Sequence, residues 1–426
     1  TIMMIGTMLC NFVPKTLVVV PPVLIDQWFV QIYRTTGHKA LIYHGEEKKN
    51  TTLEDLQKAK IVICTYAAVT LTRDQIANRE LSDLHKIQWS RLVFDEAHHL
   101  RNAGTTRYFG VRILQANIRW LVTGTPIQNR KKDFYNLCNI LRLPASFYTD
   151  IDALKSQARE FILKRTKKQV GIKIADLFID KNLVNWQNVK EKELSEELHS
   201  ALKFSSARSK SDQIVSAFSG SGFALPIILR ARQSCIYPKL MAGQLNKLVE
   251  AGIMSDYTQY KEAFNCSSKL DYAVKKILDR KDNGCGKIIF CHFREEIDEI
   301  ATRLRSGGMT KVATLDGRTS NGKRFDVLNE KNDALILQIQ TGCEGLNLQE
   351  NYSEIYFISP HWNPAVEDQA IARCHRIGQT KPVYVERFEM CSFMYDDQET
   401  DSKTVDNYVT SVQDDKRVVA NKILGN

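Results

Sequence analysis

The sequence predicts an α/β protein of two parallel-sheet lobes joined by a helical connector, on three observations. Short β-rich apolar runs alternate with helical stretches over the first 165 residues, a second such alternation begins after residue 266, and the stretch between loses the rhythm. Runs apolar on both faces and spaced by crossover lengths are what a buried parallel sheet requires. The 426 residues exceed one hydrophobic core, and about 150 residues per domain gives two or three compact units. At 43% hydrophobic and 25% charged residues, the chain is neither wholly disordered nor a fibrous repeat.

In order, the first lobe (1–165) offers strands at TLVVV 16–20, ALIY 40–43, IVICTY 61–66, RLVFDE 91–96 and RWLVTGT 119–125. Residues 166–266 are rich in Lys, Ser, Glu and helix formers and read as a helical connector or protrusion, with RSKSDQIVSAFSGSGF at 208–223 as a mobile loop. The second lobe (267–390) offers KIIFCHF 287–293, KVATLDG 311–317, ALILQIQ 334–340, EIYFISP 354–360 and VYVERF 383–388. A C-terminal extension, 391–426, carries no readable motif.

Composition narrows the function classes. The longest apolar stretches, 16–25 and 334–339, fall short of the roughly 18 to 20 residues that cross a bilayer, so a soluble protein with no membrane partner is expected. The first residues lack a basic leader and an initiator Met, which reads as a cut edge rather than a signal peptide. Ten scattered cysteines with no CxxC pair argue against a zinc module and for a reducing compartment. Lys plus Arg number 59 against 49 acids, a formal charge of +10, which favours a polyanionic partner.

The chemistry lies in three places. An apolar strand ends in adjacent Asp95 and Glu96, an arrangement in which one acid holds Mg²⁺ through its water shell and the next polarises an attacking water. The TGTP turn at 123–126 ends the next strand, and in a parallel sheet both ends lie on the carboxyl edge, where such sheets bind ligands. The adjoining pair His98 and His99 lacks the partners of a metal site. In the second lobe a glycine-bearing turn, QTGCEGLNL at 340–348, follows a strand, and DQAIARCHRIGQ at 368–379 reads as helical. Arg373 and Arg376, three apart, would share a helix face. As fingers on a γ-phosphate they would be worth about 10³ to 10⁵ in rate.

Together DEAH at 95–98, LVTGTPIQN at 121–129, GLNL at 345–348, HWNPAVEDQA at 361–370 and RCHRIGQ at 373–379 resemble the Swi/Snf family of superfamily two helicase-like ATPases. VVPPVLIDQW at 19–28, ICTY at 63–66, ILKRTKK at 162–168 and KIIFCHF at 287–293 extend the resemblance over about residues 1–390. It implies two RecA-like lobes that clamp ATP with Mg²⁺ and track double-stranded DNA, shifting nucleosomes or other DNA-bound proteins. Within it Asp95 matches the Mg²⁺-binding acid, Glu96 the general base, and Arg373 and Arg376 the fingers. Thr1, Gly345 and Gln369 match ATP-binding positions, and Pro21, Thr65, His292, Thr341 and Trp362 match segments that track DNA. The family pattern also implies nuclear residence in a eukaryote, and otherwise a soluble intracellular place.

Three departures stand out. The family's phosphate loop reads GxGKT, and Thr1-Ile2-Met3 resembles its last residue and the helix after it, so the chain reads as truncated within that loop and as binding ATP poorly as it stands. Cys343 replaces a usual glycine. DEAHHLRN resembles the DNA-repair branch, yet no RING finger sits in the connector. Lys164, Arg165, Lys167, Lys168, Arg230 and Arg232 are candidates to line a DNA groove. Two alternatives stay open: a non-catalytic DNA-binding scaffold and a DEAH-type RNA helicase.

Overall fold

The computed structural model describes the chain apart from residues 129, 151, 155–159, 167–168, 220–223, 343–345, 397–401 and 425–426, and apart from the side chains of 219, 224, 321, 325, 341, 342 and 424. It divides into two compact units, Thr1–Lys164 with Lys416–Asn426, and Arg165–Asp415. No helix among the described residues is long and apolar enough to cross a membrane.

The first unit is built on five parallel strands: β1 (Thr16–Val20), β2 (Leu41–Tyr43), β3 (Ile61–Thr65), β4 (Gln88–Asp95) and β5 (Gln115–Val122), in the order β2-β3-β1-β4-β5. Each coincides with an expected run. Side chains alternate between two buried layers, as the period of two demands. Leu17, Val19, Val62, Cys64, Leu92 and Phe94 enter one, and Val18, Val20, Ile63 and Val93 the other. The helix Ile25–Thr36 closes the second layer with Ile25, Trp28 and Ile32, and stops at Gly37, whose φ of 68° is a left-handed cap. Gly110 is required elsewhere in the unit: a methyl group there would lie 1.8 Å from the carbonyl oxygen of Val69.

The second unit carries six parallel strands, β6 (Leu177–Val184), β7 (Gly286–Cys291), β8 (Val312–Leu315), β9 (Ala334–Gln338), β10 (Tyr352–Phe357) and β11 (Val383–Met390), in the order β6-β11-β10-β7-β9-β8. Both units are therefore parallel α/β sheets, as two RecA-like lobes require. β6 departs from the expected helical connector: it runs the full length of β11 and forms an edge of the sheet. The stretch expected to be a mobile loop also differs, because Gln213–Ser219 is helical; 220–223 lie outside the described residues. The C-terminal extension contains the helix Val405–Leu424.

After β6, helices Val189–Ser200, Ala224–Ile236 and Ala242–Glu250 gather Leu194, Leu198, Ile227, Ala231 and Leu245 around Val405 and Val409. His199 is fully buried there, its Nδ1 2.7 Å from the Ser195 carbonyl and its Nε2 accepting from the Val405 amide at 2.9 Å. Burial pushes its pKa down to about 4, against smaller upward pulls from the Ser195 carbonyl and Asp406. The unfolded chain thus takes up a proton near 6.5 that the native core refuses until about 4. This part of the stability is whole above that upper value and declines as pH falls toward the lower one, by up to about 3 kcal/mol. Urea midpoints measured from neutral pH down to about pH 4.5 are expected to fall more steeply for the wild type than for His199→Gln; equal slopes would refute the assignment.

Candidate functional site

The carboxyl edge of the first sheet gathers the sequence-predicted acids. β4 ends at Asp95, paired in register with Val122, so the turn after β5 stands beside it. In that turn the Thr125 amide donates to Thr123 Oγ1 at 3.1 Å and Gln128 Nε2 to Thr125 Oγ1 at 3.3 Å. Asn129 lies outside the described residues.

Both Asp95 carboxylate oxygens are held: Oδ2 accepts from Trp28 Nε1 at 2.7 Å and Oδ1 from the Glu96 amide at 2.9 Å. Burial raises the Asp95 pKa, the Trp28 hydrogen bond restrains the rise, and the neighbouring Glu96 charge adds to it. Glu96 itself sits at φ 50°, ψ 48°, in the left-handed region, a conformation that costs a non-glycine residue about 1 to 2 kcal/mol. Its Oε2 is 3.3 Å from His98 Nδ1 but without hydrogen-bond geometry, so that buried oxygen has no donor among the described residues. His98 and His99 stack with ring centroids 4.7 Å apart.

Thr1 belongs to the same edge. It precedes the helix Ile2–Cys10, and its Oγ1 accepts from Gln27 Nε2 at 3.4 Å. Gln27 and Trp28, adjacent on one helix, therefore touch Thr1 and Asp95. Neither contact was visible in sequence, though Trp28 lies inside the quoted segment 19–28. Pro21 is buried at the exit of β1, and Thr65, also buried, ends β3 opposite Val20.

In the second unit, Gln369 lies on the helix Pro364–Ile371, which Asn363 caps by accepting from the Ala365 amide at 3.1 Å. The expectation that Arg373 and Arg376 share a helix face is corrected, because the helix stops at Ile371 and both arginines occupy the turns beyond it. Gln379 explains the stop. Buried, it donates from Nε2 to the carbonyls of Gln349 and Tyr352 at 3.0 Å each, and Gly378 takes a φ of 96°. Arg376 is bonded to the Asn347 side chain, and the Arg373 carbonyl accepts from the Leu348 amide at 3.2 Å.

Other candidates are placed as follows. Gly345 lies outside the described residues, as do Cys343 and the side chain of Thr341. His292 is engaged within its unit: Nε2 lies 2.7 Å from Arg232 Nη2 and 3.2 Å from the Ser359 carbonyl, and burial and the adjacent guanidinium keep its pKa well below the usual value. Trp362 meets Tyr408 edge-on with centroids 6.2 Å apart. Arg232 does not line a surface groove, since its buried guanidinium also holds the Pro360 carbonyl. Arg230 is half-buried against Phe218; Lys164 and Arg165 are exposed, and Lys167 and Lys168 are outside the described residues.

Residues 3–217 match the SNF2-related domain. The chain belongs to the SNF2-related family. Residues 268–378 of this SNF2-related protein also match the helicase conserved C-terminal domain. The letters DEAH thus mark the acid pair of a SNF2-related chain and do not make it a DEAH-box protein. Among its relatives, the "Probable global transactivator" of Orgyia pseudotsugata multicapsid polyhedrosis virus is 28% identical, covering 96% of this chain and 81% of that protein. The "Putative SWI/SNF-related matrix-associated actin-dependent regulator of chromatin subfamily A member 3-like 1" of Arabidopsis thaliana is 25% identical over 86% of this chain, which spans only 53% of that relative. The solved "Sulfolobus solfataricus SWI2/SNF2 ATPase core in complex with dsDNA" is 21% identical, with 91% of this chain and 80% of that one covered and a TM-score of 0.37.

Proposed function

We propose that this SNF2-related chain is the motor of a DNA-dependent ATPase that translocates on double-stranded DNA and remodels nucleosomes or other protein–DNA complexes, in chromatin or in repair. The observation that carries the reading is Glu96, whose left-handed backbone holds its carboxylate beside an Asp95 bonded at both oxygens, with one Glu96 oxygen 3.3 Å from His98 Nδ1 and without a hydrogen-bond donor among the described residues.

The residues fit a Mg²⁺-dependent nucleotidase. Among the described residues no group of three or more His, Cys, Asp or Glu could cage a metal, and Mg²⁺ bound to a nucleotide needs only one or two carboxylates beside phosphate and water. When bound, the ion would neutralise charge developing on the phosphates. Asp95 would hold it, with Trp28 and the Glu96 amide fixing the carboxylate plane. Glu96 would orient the attacking water and take its proton. Thr1 and Gln369 would contact the nucleotide, Gly345 would lie near it, and Arg373 and Arg376 would reach the γ-phosphate. The segments of Pro21, Thr65, His292, Thr341 and Trp362 would follow the DNA backbone, and in a eukaryote the work would be nuclear.

The test is ATP hydrolysis by the full-length protein with duplex DNA, duplex RNA or no nucleic acid. Stimulation by duplex DNA, weakening with salt, is expected. Hydrolysis driven by RNA with strand separation would replace the reading with an RNA helicase. DNA binding with no hydrolysis would leave a scaffold.

A further inference from the structure

The Tyr66 hydroxyl donates a 2.6 Å hydrogen bond to the main-chain carbonyl of Asp95, the peptide that leads directly into Glu96. A left-handed non-glycine residue persists only where its surroundings impose it, and such residues concentrate at functional sites. Glu96 is one of three non-glycine residues with positive φ among those described, the others being Arg79 and Arg142. The peptide on its amino side is fixed by Tyr66, and its own amide is held by Asp95 Oδ1.

Tyr66 is itself immobilised. It is buried at the start of the short helix Tyr66–Val69, directly after β3. The Arg107 guanidinium lies 5.5 Å from its ring centre and the His99 ring 5.4 Å away. Its carbonyl accepts from Thr70 Oγ1 at 2.9 Å.

We propose that Tyr66 is a positioning residue for the hydrolytic water: its hydroxyl clamps the Asp95 carbonyl and so locks Glu96 in the left-handed turn that aims its carboxylate. Two consequences distinguish this from mere packing. The hydroxyl, not the ring, matters for turnover, and its loss affects kcat rather than nucleotide affinity. The inference rests on Glu96 being the base.

The test compares the full-length wild type with Tyr66→Phe and with Tyr66 replaced by 4-methylphenylalanine, which fills the space without a donor, or by 4-aminophenylalanine, which restores one. Expected is a fall in kcat of about tenfold for the two variants without a donor, KM for ATP within about twofold, and recovery with the amino group. Hydrogen exchange at the Glu96 and Ala97 amides should quicken in the same two variants. Wild-type kcat in the methyl variant, or an amino variant as slow as the methyl one, would overturn the proposal. Should Glu96→Gln retain hydrolysis, the base assignment itself fails, an outcome separate from either of these. The methyl variant guards against a Tyr66→Phe protein that does not fold.

Discussion

Glu96→Gln is expected to slow duplex-stimulated ATP hydrolysis by about 10² to 10⁴-fold, the usual worth of a general base, with nucleotide affinity little changed. Gln matches Glu in shape and bears the same left-handed backbone cost, so the change removes proton acceptance and little else. A second signal accompanies it. Burial is the main cause of the raised Asp95 pKa and the charge on Glu96 a smaller one, so the variant should lower that pKa in part and hold Mg²⁺ to somewhat lower pH. Single-turnover hydrolysis with a pH series checks both. A variant whose turnover stays within about threefold of wild type would show that another group activates the water.

The second large effect concerns stability. Lys269 and Asp406 form an ion pair at 2.6 Å, both fully buried in the second unit. Lys269 Nζ also donates to Ser359 Oγ at 2.7 Å, and Asp406 Oδ2 accepts from the Met390 amide at 2.9 Å. Removing one partner strands the other charge in a low dielectric, so Asp406→Ala should cost about 3 to 5 kcal/mol, most of it desolvation of an unanswered ammonium. The pair Lys269→Met with Asp406→Leu should recover most of that loss, because apolar residues of similar volume need no counter-charge. Urea unfolding of the three proteins decides it. A single variant losing under about 1 kcal/mol, or a double variant no better than the single, would mean the ammonium finds another partner.

The sheets were legible because buried parallel strands are written as short, nearly continuous apolar runs: TLVVV and ALILQ need no context. β6 escaped notice because LFIDKNLV lies on an edge, mostly exposed, with Asp180, Lys181 and Asn182 breaking its apolar run. Asp95 and Glu96 were legible as adjacent acids at a strand end. What holds them was not, since Trp28 is 67 residues from Asp95 and Tyr66 is 29. Local spacing also misled at Arg373 and Arg376, where the interval of three fits a helix but Gln379, through bonds to the segment 349–352, folds the chain into turns instead. Lys269 and Asp406 lie 137 residues apart, a separation that local spacing cannot bridge.

β6 has a consequence for how the molecule behaves at high concentration. Among the described residues it pairs with β11 alone, and Phe178, Ile179 and Leu183 stand exposed along it. Such a border invites a strand from a neighbouring molecule, and the charges in mid-strand that discourage it are Asp180 and Lys181, the latter paired with Glu389 of β11 at 2.8 Å. Concentrated salt, by muting those charges, is the condition under which copies of the protein would zip together along this margin.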